Sequence, residues 1–458
     1  MNERFELVQK ALESMLEEKK YATLRDILIT MNPADIAALF SSTEETKIPL
    51  LFRLLPKELA AETFVEMEPE EQELLIKGFS DNELKEVLDE LYVDDAAALV
   101  EEMPANVVKR ILRQADPEMR SSINQILRYP ENSAGSMMTT EYVSLRPAMT
   151  VEESILRIRR QGVDKETIYT CYVTEGRKLV GIVTVKDLLL AEDDEIRVRD
   201  MMETNLISVT THTDQEEVAK MFSKYDFLAL PVVDMENRRV GIVTVDDAID
   251  VLEDEATEDM EKMGGILPSE KTYIRSSAWE LFKNRIPWLL LLMVSATFTG
   301  MIITAFEDAL AVQVVLTAFI PMLMGTGGNS GSQSSVTIIR ALSLDELKLV
   351  DLPRVVWKEI RTAVLCGLAL AGVCYLKLWL VDGKLLGNGD ITPQVNLVVC
   401  LALFVTVLSA KIVGAVLPMA AKALKLDPAV MASPFITSIV DALSLLVYFL
   451  FAKMLLPV

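Results

Sequence analysis

Pro321-Met-Leu-Met-Gly-Thr-Gly-Gly-Asn-Ser-Gly-Ser-Gln333 decides how this chain is read. The stretch sits inside a hydrophobic region long enough to cross a membrane, yet it is studded with glycines, amides and hydroxyls. Glycine loosens a helix, and a backbone carbonyl freed in lipid is costly unless something satisfies it. Non-helical backbone at that depth is tolerated where it is buried in protein or lines a watery cavity. The expectation is therefore a broken helix beside a permeation path. Its first half, around Leu316 to Met324, would aim a carbonyl end at the break, which favours a cation. The plainer alternative is a kinked helix packed closely on a neighbour through small residues. Asn329 and Gln333 weigh against it, because packing does not require their polar groups.

Working outward, five spans are expected at about residues 288–306, 310–342 with the break, 355–381, 395–424 and 430–456. Lys283 and Arg285 precede the first span, and Arg340, Lys348, Arg354, Lys358 and Arg361 crowd the second connection. The first connection holds Glu307 and Asp308, and the third a single lysine. This asymmetry puts the N-terminal half in the cytoplasm and the C-terminus outside. The last span carries one acid, Asp441, midway along an otherwise apolar helix, where a carboxylate is costly and points to function. Ser433, Thr437 and Asp441 follow at i, i+4, i+8 and share one face, with Pro434 beside them. A hydroxyl–hydroxyl–carboxylate stripe suits the wall of a cation path. Magnesium is a specific expectation, because it sheds water reluctantly and takes few carboxylates plus retained waters. The alternative for Asp441 is a structural ion pair with Lys411. A lysine beside the ion would repel it, so Lys411 is expected to face elsewhere.

The charge is unevenly placed. Residues 283–458 hold 13 basic and 10 acidic residues, a balance of +3, leaving residues 1–282 with 32 against 58, or −26. An acidic soluble half argues against nucleic acid and for cations or basic partners, although acidity also serves solubility. Cys171, Cys366, Cys374 and Cys400 form no CxxC pair, and the single His212 rules out a multi-histidine metal site. No signal peptide is read at the acidic N-terminus, whose apolar residues are spaced as in helices.

Residues 1–130 read as short amphipathic helices in a superhelical stack. A loose repeat runs through Pro33-Ala-Asp-Ile-Ala-Ala-Leu-Phe40, Pro56-Lys-Glu-Leu-Ala-Ala-Glu-Thr-Phe64 and Asp94-Asp-Ala-Ala-Ala-Leu-Val100. A docking or regulatory module fits better than an enzyme, since no nucleophile-and-base set is present. Residues 131–252 carry a clearer duplication. Met137-Met-Thr-Thr-Glu-Tyr-Val-Ser144 recurs as Met201-Met-Glu-Thr-Asn-Leu-Ile-Ser208, and Gly181-Ile-Val-Thr-Val-Lys-Asp187 as Gly241-Ile-Val-Thr-Val-Asp-Asp247. The pattern predicts two β-α-β-β-α modules and resembles a tandem pair of CBS domains. In that family the signature Thr and Asp hold the ribose of an adenine nucleotide, which implies Thr184/Asp187 and Thr244/Asp247. The alternative is that they only cap the following helix. From Asp246 a long acidic helix runs to Gly264-Gly265, forming with residues 253–280 a connecting (plug) segment before the membrane part, 281–458. Its carboxylates repel one another unless cations neutralise them; a solvated linker is the plainer alternative, but the position just before the first span favours mechanical coupling.

The order of acidic helical domain, α/β tandem CBS domains, acidic helix and all-α domain with five transmembrane helices resembles the MgtE family of magnesium channels. So do the stretches 321–333 and Asp427-Pro-Ala-Val-Met-Ala-Ser-Pro-Phe-Ile-Thr-Ser-Ile-Val-Asp441. The resemblance implies a homodimer in the cytoplasmic membrane with the pore on its two-fold axis. Asp441 and Thr437 would face the ion, with Gly325 and Asn329 near the filter. It also implies closure by cytosolic Mg2+ bridging Glu62, Asp94 and Asp95, then Asp214, Glu216 and Asp226. Asp247, Asp250, Glu255, Glu258 and Asp259 on the acidic helix, and Asp427 at the inner edge, complete the implied set. ATP is a further expected ligand. Within transport, a broader carrier for cobalt, nickel or manganese stays open. From another class, CBS pairs also occur in chloride channels, but a midspan acid and no cationic filter speak against an anion pore. A membrane enzyme would need a second intramembrane acid or a nucleophile with its base.

Overall fold

Short helices run from Tyr21–Leu28 to Pro117–Ile126 in the first part of the computed structural model. The structure describes residues 10–456 except 13, 17, 270–272, 275 and 386–390, and leaves out the side chains of 164, 308, 309, 383, 384 and 433. The chain divides into two compact units, Met1–Glu253 and Asp254–Val458.

In the first unit the short helices begin where the sequence provides starts. Asn32 caps Pro33–Ser41, Ser80 closes a capping box on Asp81–Leu88, and Asp116 caps Pro117–Ile126. Their apolar faces share one core that includes Leu24, Phe40, Phe64, Leu75, Leu88 and Ile111. Two three-stranded sheets follow, ordered β1 (Tyr142–Leu145), β2 (Thr167–Glu175), β3 (Lys178–Thr184) and β4 (Val209–Thr210), β5 (Ala229–Val233), β6 (Arg239–Thr244). Each sheet pairs its first two strands parallel and its last two antiparallel.

The duplicated landmarks interlock the two modules. Thr139 and Ile242 exchange backbone hydrogen bonds of 2.8 and 2.9 Å, and Glu203 and Ile182 do the same at 2.9 and 3.0 Å. A Cβ on Gly241 would meet Met138 Sδ at 2.7 Å, and one on Gly181 would meet Met202 Sδ at 2.5 Å. Each signature glycine thus receives the methionine of the other repeat. The acidic helix Val245–Met263 follows β6 and ends before Gly265, whose φ of +70° suits a residue without a side chain.

Among the described residues of the second unit, four helices are long and apolar enough to cross a membrane: Ala278–Ala305, Leu349–Asp382, Pro393–Ala423 and Pro428–Leu455. The expected second span is not among them. Its helix Ile320–Ser343 is 24 residues long, about 36 Å at 1.5 Å per residue. Its glycines, hydroxyls and amides lower its hydropathy, so the expected five apolar spans become four plus this mixed helix.

Candidate functional site

The helix Ile320–Ser343 runs unbroken through the glycine motif, which corrects the expected break at 325–333. The irregular backbone lies earlier, in a 3-10 segment, Val314–Phe319. There the Tyr448 hydroxyl donates to the Leu316 carbonyl at 3.0 Å in a buried position, satisfying a group that lipid would leave unpaired. The glycines serve contact rather than unwinding. A Cβ on Gly327 would lie 2.7 Å from Thr406 Cγ2, 2.8 Å from Ser444 Oγ and 2.9 Å from Val440 Cγ1. One on Gly331 would meet Ile436 at 2.8 Å and the Ala410 carbonyl at 3.2 Å. Close packing through small residues, the plainer alternative, therefore accounts for these glycines.

The opposite face of the same helix is open in the chain. Gly325, Asn329 and Gln333 are exposed at four-residue intervals, while Gly327, Gly328, Ser330, Gly331, Ser334 and Ser335 are buried. A Cβ on Gly325 would meet nothing within 4 Å. On the adjoining helix Ser433–Leu455, Thr437 packs its methyl 3.0 Å from the Cβ position of Gly328, next to Asn329. The Thr437 hydroxyl donates to the Pro434 carbonyl at 2.9 Å, leaving its lone pairs for other partners. Asp441 follows one turn later, half-buried. The Ser433 side chain, expected on this stripe, lies outside the described residues.

Among the described residues no ion pair joins Lys411 to Asp441. The lysine is buried and donates from Nζ to Ser334 Oγ at 3.4 Å, so the alternative of a structural Asp441–Lys411 pair is set aside.

The first unit holds a dense acid cluster. Asp94 and Asp95 open the helix Val93–Glu102, Asp246 and Asp247 open the acidic helix, and Glu141 and Glu166 flank β1 and β2. Burial, then Asp247 and Asp246, push Asp95 up to about 7. Burial, then Asp95 and Asp247, push Glu166 to about 8. Burial raises Asp247 to about 6, opposed by hydrogen bonds from Thr244. Asp94 is raised well above the usual carboxylate range by burial and by Asp247 and Asp95. Asp94 Oδ1 and Glu166 Oε2 are buried with no hydrogen-bond partner. Orphaned carboxylate oxygens amid like charge fit a divalent cation. Among the described residues no three acidic groups already converge as a formed metal site.

Glu141, Glu166 and Asp246 were missed as site residues, because nothing local marks them and only the fold brings them to Asp94 and Asp247. The other implied sensor acids are scattered. Glu62 is exposed on the helix Lys57–Val65. Asp214 caps the start of Gln215–Tyr225 and Glu216 pairs with Lys220 at 2.6 Å, while Asp226 ends that helix in the left-handed region. Eleven residues, about 16 Å, separate the two ends, so one chain does not bring Asp226 to Asp214 and Glu216.

In the second unit Lys262 bridges Glu258 at 2.6 Å and Asp427 at 2.7 Å. Ser343 donates to Asp259 at 3.2 Å, and Asp427 also caps Pro428–Met431 by accepting from the Ala429 N–H at 2.8 Å. The implied residues Asp250 and Glu255 lie on the same acidic helix. The nucleotide-signature residues of the first repeat form a capping box: Asp187 N–H donates to Thr184 Oγ1 at 3.1 Å, and Thr184 N–H to Asp187 Oδ2 at 3.1 Å. Thr244 Oγ1 likewise donates to Asp247 Oδ2.

Comparison with known proteins finds the same order of domains. Residues 31–132 match the MgtE intracellular N domain, 134–194 and 198–254 match the CBS domain, and 320–451 match the MgtE divalent cation transporter domain. The magnesium transporter MgtE of Thermus thermophilus is 39% identical over 97% of this chain and 98% of its own length. That of Bacillus subtilis is 34% identical over 95% and 94%. A crystal structure of the cytosolic domain of the Mg2+ channel MgtE in complex with ATP is 40% identical. It covers 53% of this chain and 99% of its own, with a TM-score of 0.51. The soluble part of a magnesium transporter is 30% identical over 55% and 99%, also at 0.51. The chain belongs to the MgtE family of magnesium transporters.

Proposed function

We propose that this protein is a magnesium-selective channel that works as a homodimer, admits Mg2+ across the cytoplasmic membrane, and closes when cytosolic Mg2+ binds its acidic groups. The observation that carries the reading is the stripe of Gly325, Asn329 and Gln333, polar and uncovered by its own chain, beside Thr437 and Asp441. A polar face at membrane depth needs protein or water over it. A second copy placed across this face encloses a path and gives it two Asp441 carboxylates. A few carboxylates with hydroxyls and amides suit an ion that keeps its water. The basic second connection supports a cytosolic N-terminal part with the C-terminus outside.

Closure follows from charge. Without divalent ions Asp94, Asp95, Glu166 and Asp247 are buried at the cost of protonation or repulsion. Mg2+ removes that cost and favours the compact state. Asp250, Glu255, Glu258 and Asp259 along the acidic helix, with Asp427 joined to it through Lys262, carry the same response. Glu62, Asp214 and Asp226, exposed, and the half-buried Glu216 suit bridging between copies. A similar cytosolic domain was crystallised with ATP, which supports adenine nucleotide at Thr184/Asp187 and Thr244/Asp247. Asp247 belongs to both sets, so nucleotide and Mg2+ would be coupled through it.

Flux into liposomes, followed in parallel for Mg2+, Ca2+, Co2+, Ni2+, Mn2+ and chloride, tests the reading. Mg2+ entry without Ca2+ or chloride entry is expected. Equal entry of Co2+, Ni2+ or Mn2+ would make it a broader divalent carrier, and chloride entry would overturn the cation path.

A further inference from the structure

Lys411 is a buried basic residue of the membrane half, 5% exposed. An ammonium at that depth is tolerated only with an opposite charge and hydrogen bonds around it. The ion pairs Lys262–Asp427, Arg354–Asp351, Lys377–Asp382 and Lys422–Asp345, found in this half among the described residues, do not include it. What it reaches is Ser334, itself 3% exposed, at 3.4 Å. Ser334 Oγ in turn donates to Glu359 Oε2 at 2.7 Å. The chain Lys411–Ser334–Glu359 crosses three helices: Pro393–Ala423, Ile320–Ser343 and Leu352–Lys377.

Around this chain the backbones nearly touch. A Cβ on Gly414 would run into the Gly331 carbonyl oxygen, and the Ala410 carbonyl lies 3.2 Å from the Cβ position of Gly331. Ser334 directly follows Gln333, which stands on the open polar stripe. The positive charge therefore sits across one helix from that stripe, roughly 10 Å away. Coulomb repulsion scales with the product of charges, so an unbalanced Lys411 acts twice as strongly on a divalent as on a monovalent cation.

We propose that Glu359 is a positioning residue that balances charge for transport: through Ser334 it neutralises Lys411, so that the helix packed behind the polar stripe adds no net positive charge beside the ion. The proposal rests on the reading of the stripe and Asp441 as the ion path. It differs from a simple inter-helix clamp in the sign of its effects. Removing the acid leaves a bare cation behind the path, whereas removing the lysine leaves a bare anion.

The test is Mg2+ uptake into liposomes by the full-length protein and three variants: Glu359→Gln, Lys411→Met and the double substitution. Folding is checked by size exclusion and melting temperature, and Lys411→Gln, which keeps a donor, replaces Lys411→Met if that variant does not fold. Glu359→Gln is expected to slow uptake by about tenfold or more, while the lysine variant keeps or exceeds the parent rate. The double variant is expected to return to within about threefold of the parent. If both single variants slow uptake alike, the chain is only a clamp and the proposal falls. Unchanged uptake by folded Glu359→Gln also overturns it. Asp441→Asn serves as the reference: uptake retained there defeats the path reading itself, whereas uptake lost there but kept in Glu359→Gln defeats this inference alone.

Discussion

Replacing Asp95 by asparagine should stabilise the cytosolic half in the absence of divalent cations. In the fold its carboxyl rises from 3.8 to about 7, chiefly through burial and then through Asp247 and Asp246. That is about three pH units, and at about 1.4 kcal/mol each it amounts to about 4 kcal/mol held against the ionised form. An acid with a raised folded pKa binds more protons folded than unfolded. Its stability contribution is fully present below about pH 4 and is lost as pH rises through about 7. At pH 8 the parent carries the whole penalty, while asparagine carries none. Neighbouring acids share the strain, so a gain of about 2–4 kcal/mol is expected. For a unit of this size that raises the melting temperature by roughly 5–15 °C. The assay is thermal unfolding of the cytosolic half at pH 5 and pH 8, with chelator and with saturating Mg2+. The gain should appear at pH 8 with chelator, shrink at pH 5, and shrink when Mg2+ stabilises the parent by binding. An Asp95→Asn protein that melts at or below the parent temperature at pH 8 without Mg2+ would refute the picture of a strained acid cluster.

Two glycine substitutions separate packing from pathway. Gly414→Ala drives a methyl into the Gly331 carbonyl and should cost about 3 kcal/mol or more, seen as loss of folded protein in detergent. Gly325→Ala meets open space and should fold normally, so any change in its Mg2+ flux reports on the path. ATP at millimolar concentration should raise the melting temperature of the cytosolic half. A variant with alanine at Thr244 and Asp247 should lose that shift while keeping its fold. No shift in the parent protein with any adenine nucleotide would leave the CBS pair as scaffold.

Much of this architecture was legible because the signals are local or repeated. The two Met-Met and two Gly-Ile-Val-Thr landmarks predict a tandem CBS pair, and their contacts explain why both recur: Met138 fills the space at Gly241 and Met202 the space at Gly181. The acidic helix ended near its expected Gly-Gly stop. The glycine motif misled in one respect. A glycine costs about 1 kcal/mol in a helix interior, which suggested a break. Contacts with Thr406, Ser444, Val440 and Ile436, which lie far off in sequence, outweigh that cost and keep the helix whole. Glu141 and Glu166 left no trace in the sequence, since an acid in an acidic domain is unremarked until the fold buries it beside Asp94 and Asp95. Lys411 was expected to face elsewhere than the ion, but its route to Glu359 through Ser334 could not be read ahead, because it depends on three separate helices.

The most direct test of the central claim is Mg2+ uptake into liposomes by purified Asp441→Asn, compared with the parent at equal amounts of folded protein. Asparagine keeps the size of the side chain and removes its charge. If Asp441 draws the ion into a path lined by Asn329 and Thr437, uptake falls to the level of empty liposomes while the oligomeric state and melting temperature stay close to those of the parent. Parent-level uptake from a folded Asp441→Asn protein would contradict the account.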